Sequence, residues 1–348
     1  MQPDAVLVAV TALVLGANAP HGLTVAGSLL GAVLAFGLLE TGYVILRLIR
    51  VPPTPASAWL AGLALAAHMI AVPVIILGWK LAASASVFLA LALVCAVVQR
   101  LGPARLSGDD PGAGLALLGA GGFALIWSLD TTLRYAGFAA TGTFPLALDA
   151  MMHAGLIAEF GDPLAVAQGN SSLAGIPRDL YHFASYAFPG LAERLFGEAP
   201  LDALVSVWLP LGILATMVGV FCLGAALGGT GTGALAVALL AAVPDPASYG
   251  IKQGFYSFHW LMEVTPGALY ALPVGALSLA LLCRWSRRAE SGALVGSVVF
   301  LAAMFLLRFH LLLWLVVPWG VAAWLAPPGS RDGGRSGRSR PGSLCCRC

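Results

Sequence analysis

Long apolar runs, broken at intervals by turn chemistry, dominate the chain. They cover approximately residues 4–17, 22–46, 58–79, 82–99, 113–128, 202–227, 231–244, 266–283, 292–307 and 309–326. Several approach the roughly 20 residues that carry a helix across about 30 Å of hydrocarbon. The breaks fall at Pro52-Pro53, Gly102-Pro103, Asp110-Pro111-Gly112 and Pro244-Asp245-Pro246, where proline and glycine punctuate helices. The pattern predicts an all-α integral membrane protein of about ten transmembrane helices, with a large helical extracytoplasmic loop between the fifth and sixth. Its parts are N-terminal transmembrane helices over 1–128, an outer loop with interfacial helices over 129–201, and C-terminal transmembrane helices over 202–326. A second outer loop spans 245–265, and the Gly/Ser/Arg/Pro tail over 327–348 is expected to be disordered.

Residues 292–326 admit two arrangements: two short helices turning at Arg308-Phe309-His310, or one long helix with a buried Arg. A cation stranded at membrane depth is costly unless it is paired or faces water. The turn, or a broken helix lining a cavity, is therefore expected. The first run ends in Ala17-Asn18-Ala19, which looks like a signal-peptidase site. No Lys or Arg precedes the run and Pro20 would follow the cut, so it reads as a retained first helix.

Orientation follows from the basic residues. With the N-terminus inside, Arg47, Arg50, Arg100, Arg105, Arg284, Arg287, Arg288 and the arginines of the tail all fall on the cytoplasmic side. The long outer segments carry only Arg134, Arg178, Arg194 and Lys252. A plasma-membrane protein with its active side outward is the expectation. Glu40 lies near a cytoplasmic helix end and is expected to pair with Arg47 or water.

Composition agrees: of 348 residues, 59% are hydrophobic and 10% charged, too apolar to cover a soluble surface. The net charge of +2 gives no reason to expect a nucleic-acid partner. Cys95, Cys222 and Cys283 sit in apolar stretches as small hydrophobes, and Cys345, Cys346 and Cys348 match no zinc spacing. Gly228-Gly229-Thr230-Gly231-Thr232-Gly233 lacks the Lys of a phosphate loop and reads as a tight turn.

The acids are uneven: eight of 16 lie between the fifth and sixth spans. There, Pro145 suits a first helical turn, and Leu148, Met152, Leu156 and Phe160 repeat at helical spacing. Asp149 and His153 are four apart and share a face. This predicts an amphipathic interfacial helix with both on or near its polar side. After a Gly/Ser-rich stretch come Arg178, Tyr181 and His182, and a second helix is expected to run to Phe196 and lead into the sixth span.

This arrangement, an acid followed four later by His, then Ile157-Ala158-Glu159-Phe160-Gly161-Asp162-Pro163, a flexible stretch, Tyr181-His182 and a Gly-containing turn into a membrane helix, resembles the outer loop of GT-C-type membrane glycosyltransferases. The resemblance covers about residues 128–230. In many members the catalytic acid comes right after the first helix; here the large loop follows about five. It implies transfer of a sugar from a polyprenyl-phosphate-linked donor to a hydroxyl acceptor, with inversion. The acceptor proton needs a base: Asp149 is the first candidate and Asp130 the second. The leaving phosphate needs cations or donors, which His153, Arg178, Tyr181, His182, Lys252, His259, Arg308 and His310 are placed to supply. No cofactor is assigned; a divalent metal ion held by carboxylates is compatible with such an enzyme. The histidines His153, His182, His259 and His310 lack the compact spacing of zinc motifs. Two other classes fit the hydropathy: a transporter or flippase, which would favour internal repeats and buried mid-membrane charge that are not evident here, and a structural subunit, which would leave the acidic loop unexplained.

Overall fold

The computed structural model describes residues 2–19, 24–101, 111–137, 141–142, 148–160, 183–242 and 267–325. Among them there is no strand. The helices are α1 Pro3–Ala17, α2 Thr24–Leu48, α3 Pro55–Leu77, α4 Leu81–Leu101, α5 Pro111–Ala136 and α6 Leu148–Phe160. A 3-10 turn, Phe183–Tyr186, leads into α7 Ala187–Phe196. Then come α8 Pro200–Gly228, α9 Thr230–Ala242, α10 Ala268–Arg288 and α11 Ser291–Leu325. Seven of these, α2, α3, α4, α5, α8, α10 and α11, are long and apolar enough to cross a membrane; α1 and α9 are shorter apolar helices.

Proline starts many of the helices and is pre-organised there: Pro3, Pro55, Pro111 and Pro200 each stand at the head of one. Thr54 and Ser57 close a reciprocal capping box on α3, and Gly78 ends that helix in the left-handed conformation. Glycine sets the closest contacts. A Cβ at Gly42 would overlap the Ala58 carbonyl and one at Gly62 the Leu38 carbonyl, so the backbones of α2 and α3 touch. Helix α1 packs between α2 and α5. Asn18, fully buried, donates to Ser128 at 2.8 Å and accepts from Thr132 at 2.6 Å. Glu40, also buried, accepts from Gln99 Nε2 at 2.6 Å, so its carboxylate is engaged across the α2–α4 contact.

The turn expected at Arg308 is present. Arg308 adopts φ −165° and ψ 98°, extended backbone inside α11. In a straight helix Ser297 and Trp319 would stand about 33 Å apart. Instead Trp319 Nε1 donates to Ser297 Oγ at 2.8 Å. Leu315 and Met304 both flank Gly275 of α10. The two halves of α11 therefore fold back on each other, and Arg308 sits half-buried at the bend beside exposed Phe309 and His310.

Helix ends gather at two faces. The N-terminal ends of α1, α3, α5 and α9 meet the C-terminal ends of α8 and α10 around Arg284, Arg287 and Arg288. This end is called the arginine face. Helices α6 and α7 and the start of α8 pack together at the other end, the loop face.

Candidate functional site at the loop face

Helix α6 docks on the bundle by a stripe other than the expected one. Ala150, His153, Ala154, Ile157 and Phe160 are buried, whereas Met152 is 54% exposed. The inward stripe joins two alanines and His153 to Ile157 and Phe160; of the residues at the expected apolar spacing Phe160 is buried, Leu156 half-buried and Met152 exposed, so the buried face is rotated from the expected one. His153 is therefore not on a polar, wet side: it is 3% exposed. Such burial is tolerable because its ring is satisfied. Nδ1 shares a 2.5 Å hydrogen bond with the Tyr186 hydroxyl, the donor being set by the imidazole tautomer. The edge of the ring meets Trp208 at 4.8 Å between centroids.

Trp208 closes a π-turn, Leu204–Trp208, in α8. Its sequence cause is Pro210, which has no amide to bond the Ser206 carbonyl. Just before it the ladder widens, with the Leu209 amide donating to Leu204 O. Tyr270 of α10 donates to the Trp208 carbonyl at 2.7 Å. Tyr186 and Trp208 lie 5.0 Å apart, and Phe188 stacks on Tyr270 at 5.7 Å. One aromatic cluster thus joins α6, the turn before α7, α8 and α10.

Acids ring this cluster. Asp202 accepts from Tyr135 at the end of α5 at 2.8 Å, and burial together with that carboxylate pushes the Tyr135 phenol far above its ordinary range. It therefore stays a donor. Glu198, buried, accepts from Ser206 at 2.6 Å. Glu193 of α7 has Oε2 buried with no hydrogen-bond donor among the described residues. Burial raises its pKa, an effect that neighbouring Arg194 only partly offsets.

The sequence candidates distribute as follows. Asp149 is in the first turn of α6, one helical turn before His153. Asp130 is exposed on α5. Arg308 and His310 lie at the α11 bend, and α11 contacts the Phe183–Tyr186 turn. Arg178, Tyr181, His182, Lys252 and His259 lie outside the described residues. Among the described residues no three His, Cys, Asp or Glu side chains form a metal-binding group. The bond of Tyr186 to His153, 33 residues away, has no local sequence signal. The Trp208-Leu209-Pro210 run was the available hint of a disturbed helix.

A separate cavity of about 430 Å³ opens at the arginine face. It shares no lining residue with the aromatic cluster. No family model, curated protein or solved structure matches the chain.

Proposed function

We propose that the protein is an integral plasma-membrane glycosyltransferase of the GT-C type. It moves a sugar from a polyprenyl-phosphate-linked donor to an acceptor hydroxyl at the extracytoplasmic face. In this reading the loop face is outside, and α1, α9 and the two halves of α11 complete ten crossings with the six other long apolar helices. The observation that supports it best is the docking of α6: the His153–Tyr186 bond anchors the helix whose first turn carries Asp149. A base held on a packed helix is pre-organised in a way that a base on a free loop is not.

The step is a single displacement. Asp149 takes the proton of the acceptor hydroxyl as its oxygen forms a bond to the anomeric carbon. The bond from that carbon to the phosphate oxygen breaks, and polyprenyl phosphate departs with the electron pair. Arg308 and His310 at the α11 bend, with Arg178, His182, Lys252 and His259, offset the charge that develops on the phosphate. His153, being buried, serves to position α6.

The test is sugar transfer in membranes containing the protein, using a panel of radiolabelled polyprenyl-phosphate sugars. Asp149→Asn should lower transfer by about 10²–10⁴-fold at unchanged protein level. Wild-type transfer by that variant would remove Asp149 as the base. Repeating the assay with a chelator decides between a divalent ion and the cationic side chains as the source of phosphate stabilisation. The rival reading, a transporter or flippase, is favoured by one observation, the cavity open at the arginine face. It requires movement of the lipid-linked sugar across vesicles with no new glycosidic bond.

A further inference from the structure

The arginine-face cavity has a composition unlike the rest of the molecule. Among the described residues, Arg284, Arg287 and Arg288 line it, and no Asp or Glu does. Glu290 lies nearby, bonded to Arg284 Nε at 2.5 Å and 3.7 Å from Arg288. Three cations against this one acid leave a local excess of +2 among these residues.

Two of the cations are held in place. Arg287 donates to the Ala226 and Leu227 carbonyls at the end of α8, spending two of its five N–H donors. Arg284 is fixed by its fork onto Glu290. Arg288 keeps 64% of its side chain exposed. The starts of α3 and α9 also line the cavity, at Ser57 and Thr230. Their dipoles are opposed by those of the α8 and α10 C-terminal ends in the same lining, so the net positive charge comes from the arginine side chains. The deeper wall is apolar, including Leu117 of α5. A cationic mouth over an apolar wall, between membrane helices, suits an amphiphile with an anionic head better than a simple ion.

We infer that this cavity binds the phosphate head of an anionic phospholipid, with Arg287 and Arg288 as its principal contacts and the apolar wall taking the start of the acyl region. The site is independent of the loop-face chemistry and stands whether or not the protein transfers sugars.

The test uses the purified full chain in neutral detergent, with thermal unfolding followed by tryptophan fluorescence. The titrants are dihexanoyl phosphatidic acid, dihexanoyl phosphatidylcholine and inorganic phosphate. Phosphatidic acid should stabilise the protein saturably and phosphatidylcholine far less. Arg287→Gln/Arg288→Gln should weaken phosphatidic acid binding roughly thirtyfold. Arg287 also caps α8, so Arg288→Gln alone and Arg287→Lys are measured too: the first should weaken binding roughly fivefold, and the second should retain most of it. Arg100→Gln, at the end of α4 and outside the cavity lining, should leave it unchanged. Equal losses in Arg100→Gln and Arg288→Gln would overturn the site in favour of diffuse surface charge. Equal stabilisation by inorganic phosphate at the same concentration would overturn the lipid and assign a soluble anion. No preference for phosphatidic acid over phosphatidylcholine would overturn the proposal outright.

Discussion

At the scale of single residues, the loop face depends on a histidine and a tyrosine that satisfy each other out of water. Tyr186→Phe removes one partner of a buried bond. The expected cost is about 1–3 kcal/mol, because His153 Nδ1 loses that partner. The change should appear as a lower unfolding midpoint in detergent, and as weaker transfer because α6 is less firmly seated. His153→Phe in the Tyr186→Phe background should cost less than His153→Phe in the wild type, since the pair is already broken. Glu193 gives a pH signature. Its folded-state pKa is raised by burial, so the folded protein holds that proton more tightly than the unfolded chain. Its contribution is fully present below the ordinary carboxylate pKa and declines as pH rises to the folded value. Glu193→Gln should flatten the fall in unfolding midpoint as pH rises above the ordinary carboxylate range. An unchanged slope would mean that Glu193 does not bear this proton. Arg308 was legible in the sequence because a cation interrupting an apolar run has few acceptable places. The partner of His153 was not legible, because it is fixed by tertiary packing and not by helical spacing.

At the scale of elements, hydropathy located the apolar helices to within a turn or two and misjudged where polar helix continues past the apolar run. Helix α5 was expected to stop at 128 and runs to Ala136. Its last turns carry Asp130, Thr131, Thr132 and Tyr135, and they are held by bonds from Thr132 to Asn18 and from Tyr135 to Asp202. Such cross-helix bonds are invisible to a hydropathy window. The inward face of α6 is rotated from the expected one for a related reason: Phe160 is buried as its spacing suggests, but tertiary packing buries Ala150, His153, Ala154 and Ile157 beside it and leaves Met152 exposed. Close packing by glycine gives a direct test. Gly62→Ala must push α2 from α3 because its Cβ would meet backbone, and a loss of about 1–3 kcal/mol is expected in thermal unfolding. Gly122→Ala has nothing within 4 Å to displace and should be neutral or slightly stabilising. Equal effects of the two changes would refute the α2–α3 contact.

At the scale of the whole molecule, the two faces differ in chemistry. One gathers arginines at the ends of α1, α3, α5, α8, α9 and α10; the other gathers acids, tyrosines and the bend at Arg308. The basic residues predict that the arginine face is cytoplasmic. A single cysteine at Gly142 in a cysteine-free chain should react with an impermeant maleimide in intact cells. One at Ala289, between α10 and α11, should react only after permeabilisation. The reverse pattern would invert the topology and with it the side on which the donor is used.

The most direct measurement combines sidedness with chemistry. Sealed membrane vesicles of known orientation, containing the wild-type chain or Asp149→Asn, are supplied with labelled polyprenyl-phosphate sugars from outside. Transfer to acceptor in right-side-out vesicles, lost in the variant and latent in inverted ones until they are opened, is the result expected here. No transfer from any donor with intact protein in the membrane, or transfer only from the arginine face, would contradict the account.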